Sequence, residues 1–534
     1  MAVAIRGAEN RKKDEFFSGV LILSISAIIV KIIGLVYKIP MLGLLGSEGM
    51  GYFNSAYEVY ALFCSVATTG LPVAMAVMIS SKNGEERDSR RIFRVSMAAF
   101  LVLGGLGCLT MIALAKPFAV FLGSEKAMPC MVAIAPTVLL ICISGAYRGY
   151  FQGKGRMLPT ALSQVIEAAG KLILGLLLAL IALNLGADTP TVAAMAALGL
   201  TLGVGASALY LASASAFGKQ KPLIESDVEP SREKILPTLL ATAVPVTLSS
   251  SVVSITKVID MSMILRRLQD LGQSSEQAFS AYGSYTTLAL PLFSLAPALV
   301  TSIAMPLIPS LSGAVSRDDP KGQRRVVMDA LRLTALISAP ASLGLVLFSR
   351  PILELIFSGE SAAIALAAPC LSCLGLSVTL SCLITVENAI LQTLGKAHVP
   401  LLAMAIGSAL KIAAAYFLIA IPSIGIMGAP ISTFICDLVI NAVNFFFIGR
   451  EMGTIPIISR VLLRPYLSAA VAVGLSRLAY NGICARFGES RIITLISVIL
   501  AAVLYFLLAR LSGAVETEDI SRLSSGRLIK KKKI

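Results

Sequence analysis

Long apolar blocks separated by short polar stretches make up almost the whole chain. Runs with few charges cover approximately residues 16–45, 51–80, 92–115, 127–150, 158–183, 191–217, 236–264, 279–312, 326–349, 362–394, 399–421, 426–448, 461–480 and 491–511. Each is near or above the roughly 20 residues that a helix needs to cross the hydrocarbon core of a bilayer. In hydrocarbon an unpaired backbone N–H or C=O finds no water, so such runs must close their hydrogen bonds internally as helices. The pattern predicts an all-α polytopic membrane protein with about 14 transmembrane helices.

Polar punctuation divides the blocks. The stretch GKQKPLIESDVEPSREK (218–234) carries four charges of each sign and two prolines, and a second polar segment follows Leu511. The expected organisation is an N-lobe (1–217, six spans), a cytoplasmic linker (218–235), a C-lobe (236–450, six spans), two further helices (451–511) and a basic tail (512–534). A weak internal repeat supports the two lobes. At an offset of 240, Gln152, Gly155, Arg156 and Lys171 match Gln392, Gly395, Lys396 and Lys411. Pro159 and Pro400 follow, shifted by one position. Lys31 matches Lys257 at an offset of 226, and Phe63, Ala74, Met75 and Ser80 match Phe293, Ala304, Met305 and Ser310 at 230. The paired segments enter the membrane from the same side, which predicts a parallel, pseudo-twofold repeat.

Composition agrees with this and adds orientation. Of the 534 residues, 56% are hydrophobic and 14% charged, with mean hydropathy +0.85, against about 25% charged in soluble domains. The net charge of +15 does not point to nucleic acid, because its distribution follows the membrane. With the N-terminus in the cytoplasm, about 30 Lys and Arg residues fall on cytoplasmic segments and about seven on the other side. The clusters are Arg11 to Lys13, Arg87 to Arg94, Arg148 to Arg156, Lys219 to Lys234, Arg317 to Arg325 and Lys530 to Lys533. Both termini are then cytoplasmic in a multi-pass protein of the cell membrane, with anionic lipids as partners of the basic loops. Arg11 to Lys13 precede an apolar run too long for a cleavable signal and without a small-residue cleavage site.

No enzyme constellation is present. The single histidine, His398, excludes His-rich metal sites, and no phosphate loop, HExxH or nucleophile elbow is placed where it would act. Cys370 and Cys373 lie in an apolar helix without nearby His or acid and read as small hydrophobes. No cofactor or metal is expected; H⁺, Na⁺ or the membrane potential are the candidate driving forces.

Ionisable residues inside spans are costly and mark pathways or internal pairs. Lys31 and Lys38, seven residues apart, fall within roughly 20° on one helix face. That face makes a polar line that suits a water-filled cavity. Lys38, close to Pro40, has interfacial snorkelling as its competing reading. Lys257 and Asp260, at i and i+3, form either a neutralised pair or, through the repeat, a second cavity cation. Glu167 and Lys171, at i and i+4, read as a structural ion pair. Lys411, its repeat mate, has no such acid four residues earlier. Glu58 sits among Tyr52, Tyr57 and Tyr60, a cluster able to hydrogen-bond a carboxylate or a sugar. Glu387 and Asp437 are candidate ion-coupling sites or interhelical hydrogen-bond partners.

The first-helix lysines followed by GLVYKIPMLGLLGSEGMGYFNSAY (34–57), with the loop YRGYFQGKGRMLP (147–159), resemble the polysaccharide-transport branch of the MOP exporter superfamily. The likeness is to its stage V sporulation protein B group, relatives of the bacterial lipid II flippases. The resemblance implies two V-packed lobes around a cationic cavity that accepts the pyrophosphate of a polyprenyl-linked sugar. By position it implies Lys31 and Lys38 as first-helix cations and Lys257 as the seventh-helix cation, where relatives often carry Arg. The span 2 and span 8 cations of the lipid II flippases have no obvious match here. The expected function is a flippase for a lipid-linked oligosaccharide, with Lys31, Lys38, Glu58, Lys257, Asp260 and Lys411 as substrate-binding candidates. A cation-coupled multidrug exporter and a non-transporting scaffold that binds cell-envelope synthesis proteins are the alternatives.

Overall fold

The computed structural model describes residues 2–65, 70–81, 86–216, 235–452 and 458–513, and these are helical with no strand among them. The polar linker 218–234 and the tail from residue 514, with their basic clusters, lie outside the described residues. The first helices are α1 (Ala2–Ser65), α2 (Leu71–Ser81), α3 (Glu86–Phe121), α4 (Met128–Ile134), α5 (Pro136–Gly153), α6 (Met157–Asn184), α7 (Thr189–Ala216) and α8 (Ile235–Asp270). They continue as α9 (Ser275–Ser284), α10 (Leu290–Val315), α11 (Pro320–Leu347), α12 (Ser349–Ile356), α13 (Ser361–Thr393), α14 (His398–Ile419), α15 (Gly428–Glu451), α16 (Ile458–Phe487) and α17 (Arg491–Leu511).

Among the described residues, 12 helices are long and apolar enough to span a membrane, where the sequence pattern counts about 14. The difference lies at two places. Ile25–Ser65 counts once, although Gly46 breaks α1 with φ 65° and ψ 178°. That backbone conformation is essentially restricted to glycine. The second place is α8, which is not among the 12.

The chain forms two compact units, Met1–Arg266 with Ser274–Gly283, and Arg267–Gln273 with Ser284–Ile534. In the first, α8 is held although a polar stretch precedes it in sequence. A Cβ on Gly70 would stand 2.3 Å from the Ala243 carbonyl oxygen, so the backbones touch there. At the other end Arg266 Nε donates to the Phe121 carbonyl, and its guanidinium lies 4.0 Å from that ring. The start of α9 is tied to the same unit by a Ser47–Ser280 hydroxyl contact at 2.6 Å, by Tyr52 on Phe279 at 4.7 Å and by the Lys126–Glu276 ion pair at 2.8 Å.

Small residues set the spacing of α6 and α7. A Cβ on Gly199 would fall 2.2 Å from the Gly175 Cα, and one on Gly170 2.6 Å from the Gly203 Cα. Such close backbone approach is how membrane helices gain packing energy, since lipid supplies no hydrophobic drive between them.

In the second unit the core lies between α10, α11 and α13, around Val300, Leu311, Val327, Leu331, Val378 and Val386. The two C-terminal helices pack on this unit through Phe348, Val473 and Tyr480, and the Tyr505 hydroxyl donates to the Leu336 carbonyl at 2.8 Å.

The sequence repeat recurs as local geometry. Helix α5 ends with Gly155 N–H donating to Gln152 and Arg156 N–H to Phe151; α13 ends with Gly395 donating to Gln392 and Lys396 to Leu391. Both glycines have positive φ, 72° and 77°. The same left-handed glycine stop, with its six-to-one hydrogen bond, therefore closes both members of the 240-residue repeat.

Candidate functional site: a lysine pair among aromatic rings

Within the first unit, α1 and α6 bring together side chains that the chain spaces far apart. The Lys171 ammonium lies 4.7 Å from the Tyr37 ring, 5.0 Å from Tyr57 and 5.4 Å from Phe53. Tyr37 is 2% exposed. It fits against α6 because Gly175 has no side chain; a Cβ there would meet the Tyr37 ring at 3.3 Å. The rings of Tyr37 and Phe53 meet at a tilt with centroids 6.1 Å apart, and those of Tyr57 and Tyr60 likewise at 5.7 Å. Lys38, half-buried, lies within electrostatic reach of both Lys171 and Glu58.

Glu167 does not hold Lys171 as its ion-pair partner, as its helical spacing predicts. Its Oε2 accepts from the Arg148 guanidinium at 2.8 Å, while Arg148 Nε donates to Ser163 at 2.9 Å and a terminal nitrogen to Ser207 at 3.2 Å. The long arginine side chain crosses from α5 and reaches the carboxylate in a direction that i, i+4 reasoning on one helix does not consider. Lys171 instead faces three rings, each contact worth about 0.5–2 kcal/mol according to desolvation, with the Glu167 charge nearby.

Cation–π contacts stabilise an ammonium without neutralising it. When all are ionised, Lys38, Lys171 and Arg148 stand against Glu58 and Glu167, an excess of one positive charge. An ammonium in such surroundings carries a desolvation penalty that an incoming anion relieves. The arrangement is chemically suited to attract an anion.

Other candidates lie elsewhere. Lys31 is exposed on α1, Lys257 is exposed on α8 and Asp260 is half-buried; the ring and charge contacts described above do not include them. Tyr52 leaves the Glu58 cluster, donating to Glu48 at 2.8 Å and packing on Phe279. Sequence reasoning did not identify Tyr37 and Phe53 as a cage, and it read Arg148 only as part of a basic loop. The available signal was Arg148 within YRGY, seven residues before the helix-ending glycine.

In the second unit Lys411, the repeat mate of Lys171, lies within electrostatic reach of Asp437. Asp437 accepts a short hydrogen bond from Ser381. Asn441 Nδ2 donates to the Leu380 carbonyl at 3.1 Å, and Asn444 Nδ2 to Asn388 Oδ1 at 3.1 Å. These contacts form a polar ladder between α13 and α15. Glu387, fully buried, sits on that seam beside Asn444 with neither carboxyl oxygen in a well-formed hydrogen bond. No group of three or more His, Cys, Asp or Glu side chains that could hold a metal occurs among the described residues.

The family model described as polysaccharide biosynthesis protein matches residues 16–315, more than half of the chain and all of the lysine cluster. The chain belongs to this family. A second family model, MatE, matches residues 245–417. Two curated relatives are from Bacillus subtilis (strain 168). Stage V sporulation protein B is 25% identical over 79% of this chain and 81% of its own length. Lipid II flippase MurJ is 25% identical over 86% of this chain and 88% of its own. A solved structure of lipid II flippase MurJ, in an inward closed conformation, aligns with TM-score 0.70 at 16% identity, covering 95% of this chain and all of that one. The fold is thus MATE- and MurJ-like, and the chain is a multi-pass membrane protein.

Proposed function

We propose that this protein is a flippase that carries a lipid-linked glycan across the cell membrane, both termini being cytoplasmic. The observation that carries the reading is the Lys171 ammonium on the ring faces of Tyr37, Phe53 and Tyr57, with Lys38 within electrostatic reach of it and Glu167 committed to Arg148. A pyrophosphate head group is the anion such a site fits, because charge attraction strengthens as the local dielectric falls. The similarity to a lipid II flippase supports the choice of cargo.

Lys38 is the primary contact in this reading, with Glu58 and Tyr57 beside it for the sugar. Lys31 and Lys257 serve as exposed entry cations, with Asp260 adjacent to Lys257 on α8, and Lys411 acts in the second unit. Glu387 and Asp437 are the ion-coupling residues. Anionic lipids neighbour the basic loops.

The test is rescue of cells depleted of their own lipid II flippase, scoring outer-leaflet lipid II directly. Rescue that disappears with Lys38→Ala supports the reading; transport that persists unchanged in both Lys38→Ala and Lys171→Gln removes it. The MatE match and the buried Glu387 favour a cation-coupled drug exporter as the second reading. That reading predicts export of cationic dyes dependent on Glu387 and indifferent to Lys38.

A further inference from the structure

The second unit contains a polar crevice that the proposed transport does not use. It has a volume of about 480 Å³, within the span of about 300–1,000 Å³ common for small-molecule sites. It opens where the turn after α12 meets the turn between α16 and α17. Two guanidiniums and two carboxylates line it: Arg350, Glu354, Glu489 and Arg491, with Tyr480 and Ser490 between them. Arg350 Nε donates to Glu354 Oε1 at 2.7 Å, and Arg350 also lies within electrostatic reach of Glu489. Tyr480 carries a third cation over its ring, the Arg477 guanidinium at 5.0 Å, which also lies 5.3 Å from the Phe348 ring. One terminal nitrogen of Arg477 is buried without a hydrogen-bond partner.

We propose that this crevice binds the head group of a zwitterionic phospholipid, a phosphodiester bearing an ammonium group. Guanidinium recognises phosphate through paired N–H donors in a fixed fork; Arg491 supplies one such fork, and Arg350, whose Nε is held by Glu354, adds its terminal nitrogens beside it. A purely anionic head group would also meet Glu354 and Glu489, and a lone cation would meet both arginines. A phosphate with an ammonium a few bonds away satisfies both signs at once. The lipid source, as opposed to a soluble zwitterion, follows from what adjoins the crevice. The flanking helices present Phe487 (79% exposed), Ile492 (68%), Leu478 and Ile496 outward, an apolar surface on which acyl chains lie while the head group enters. The crevice is also built from helix ends, the depth at which head groups sit. This assignment does not depend on which glycan the protein moves, and it survives if transport is of another kind.

The test uses the purified full-length protein in detergent, titrated with dihexanoyl phosphatidylethanolamine, dihexanoyl phosphatidylglycerol and soluble phosphoethanolamine, with the thermal unfolding midpoint as readout. The expected result is a saturable rise with phosphatidylethanolamine and at least tenfold weaker response to the other two. Arg491→Gln and Glu489→Gln each weaken the phosphatidylethanolamine response at least tenfold. Phosphatidylethanolamine that co-purifies from native membranes, quantified by mass spectrometry, falls in Glu489→Gln. This second readout decides the matter if Arg491→Gln does not fold. Equal response to phosphatidylglycerol, equal response to soluble phosphoethanolamine, or variants that match the parent protein in both readouts would each overturn the proposal.

Discussion

Replacing Glu167 by Gln removes the carboxylate that Arg148 reaches across from α5 and leaves the guanidinium with two serine hydroxyls. The magnitude follows from burial. A pair in water is worth about 0.2–1 kcal/mol, whereas removing one partner of a fully buried pair costs about 3–5 kcal/mol. Arg148 and Glu167 side chains are 13% and 25% exposed, so the change falls between the two ranges and nearer the buried one, about 2–3 kcal/mol. Part of that is the stranded charge and not the pair itself, so the coupling is smaller. Pairwise couplings inside membrane bundles reach about 1.7 kcal/mol at most, because the unfolded chain in lipid also finds partners. A double-mutant cycle of Glu167→Gln with Arg148→Gln should therefore give about 1–1.7 kcal/mol. A parallel cycle of Glu167→Gln with Lys171→Gln should give less than about half of that, since those two meet only through space. Both cycles are measured by reversible unfolding in mixed detergent micelles, following tyrosine fluorescence. A coupling to Arg148 below about 0.3 kcal/mol, within the additivity seen for independent sites, would refute the reasoning. So would a larger coupling to Lys171.

Three further outcomes are expected. Lys38→Ala should lower translocation of lipid-linked glycan at least tenfold, with Lys38→Arg retaining most of it, as read by outer-leaflet labelling; equal loss in both variants would point to steric need and not charge. Gly199→Val should separate α6 from α7, because even a Cβ there would sit 2.2 Å from the Gly175 Cα. Overpacking of this kind costs about 1–3 kcal/mol, seen as a lowered unfolding midpoint, and an unchanged midpoint would contradict the close approach. Gly46→Ala meets no neighbour within 4 Å, so its penalty is conformational alone, about 1–3 kcal/mol for that backbone region. A loss well above this in the same assay would mean that the break in α1 also packs against something.

Much of the architecture was legible because lipid is a demanding solvent. Apolar runs of bilayer length have one structural solution, so helix type and approximate bounds followed from hydropathy alone. Gly155 and Gly395 were legible as a repeated pair; that each ends a helix, where glycine takes the positive φ with little strain, came from the structure. The presence of lysines inside spans, at 31, 38, 171, 257 and 411, was plain as well, since each stands out against its apolar surroundings.

Which of those lysines converge was not legible. Periodicity relates neighbours on one helix, and on that basis Glu167 and Lys171 belonged together. Once α5 is laid against α6, Arg148 reaches Glu167 with better geometry, and Lys171 turns to the rings of Tyr37, Phe53 and Tyr57 on α1. The grouping of α8 with the first unit is of the same kind: composition changes at 218–234, whereas contact at Gly70 and Arg266 holds the helix. Sequence by itself determined that this chain is a helical membrane protein carrying positive charge where charge is costly. Only the tertiary structure decided which charges are neutralised and which are set on aromatic faces, because that choice depends on cross-helix distances of a few ångströms, created by small residues that let the backbones meet.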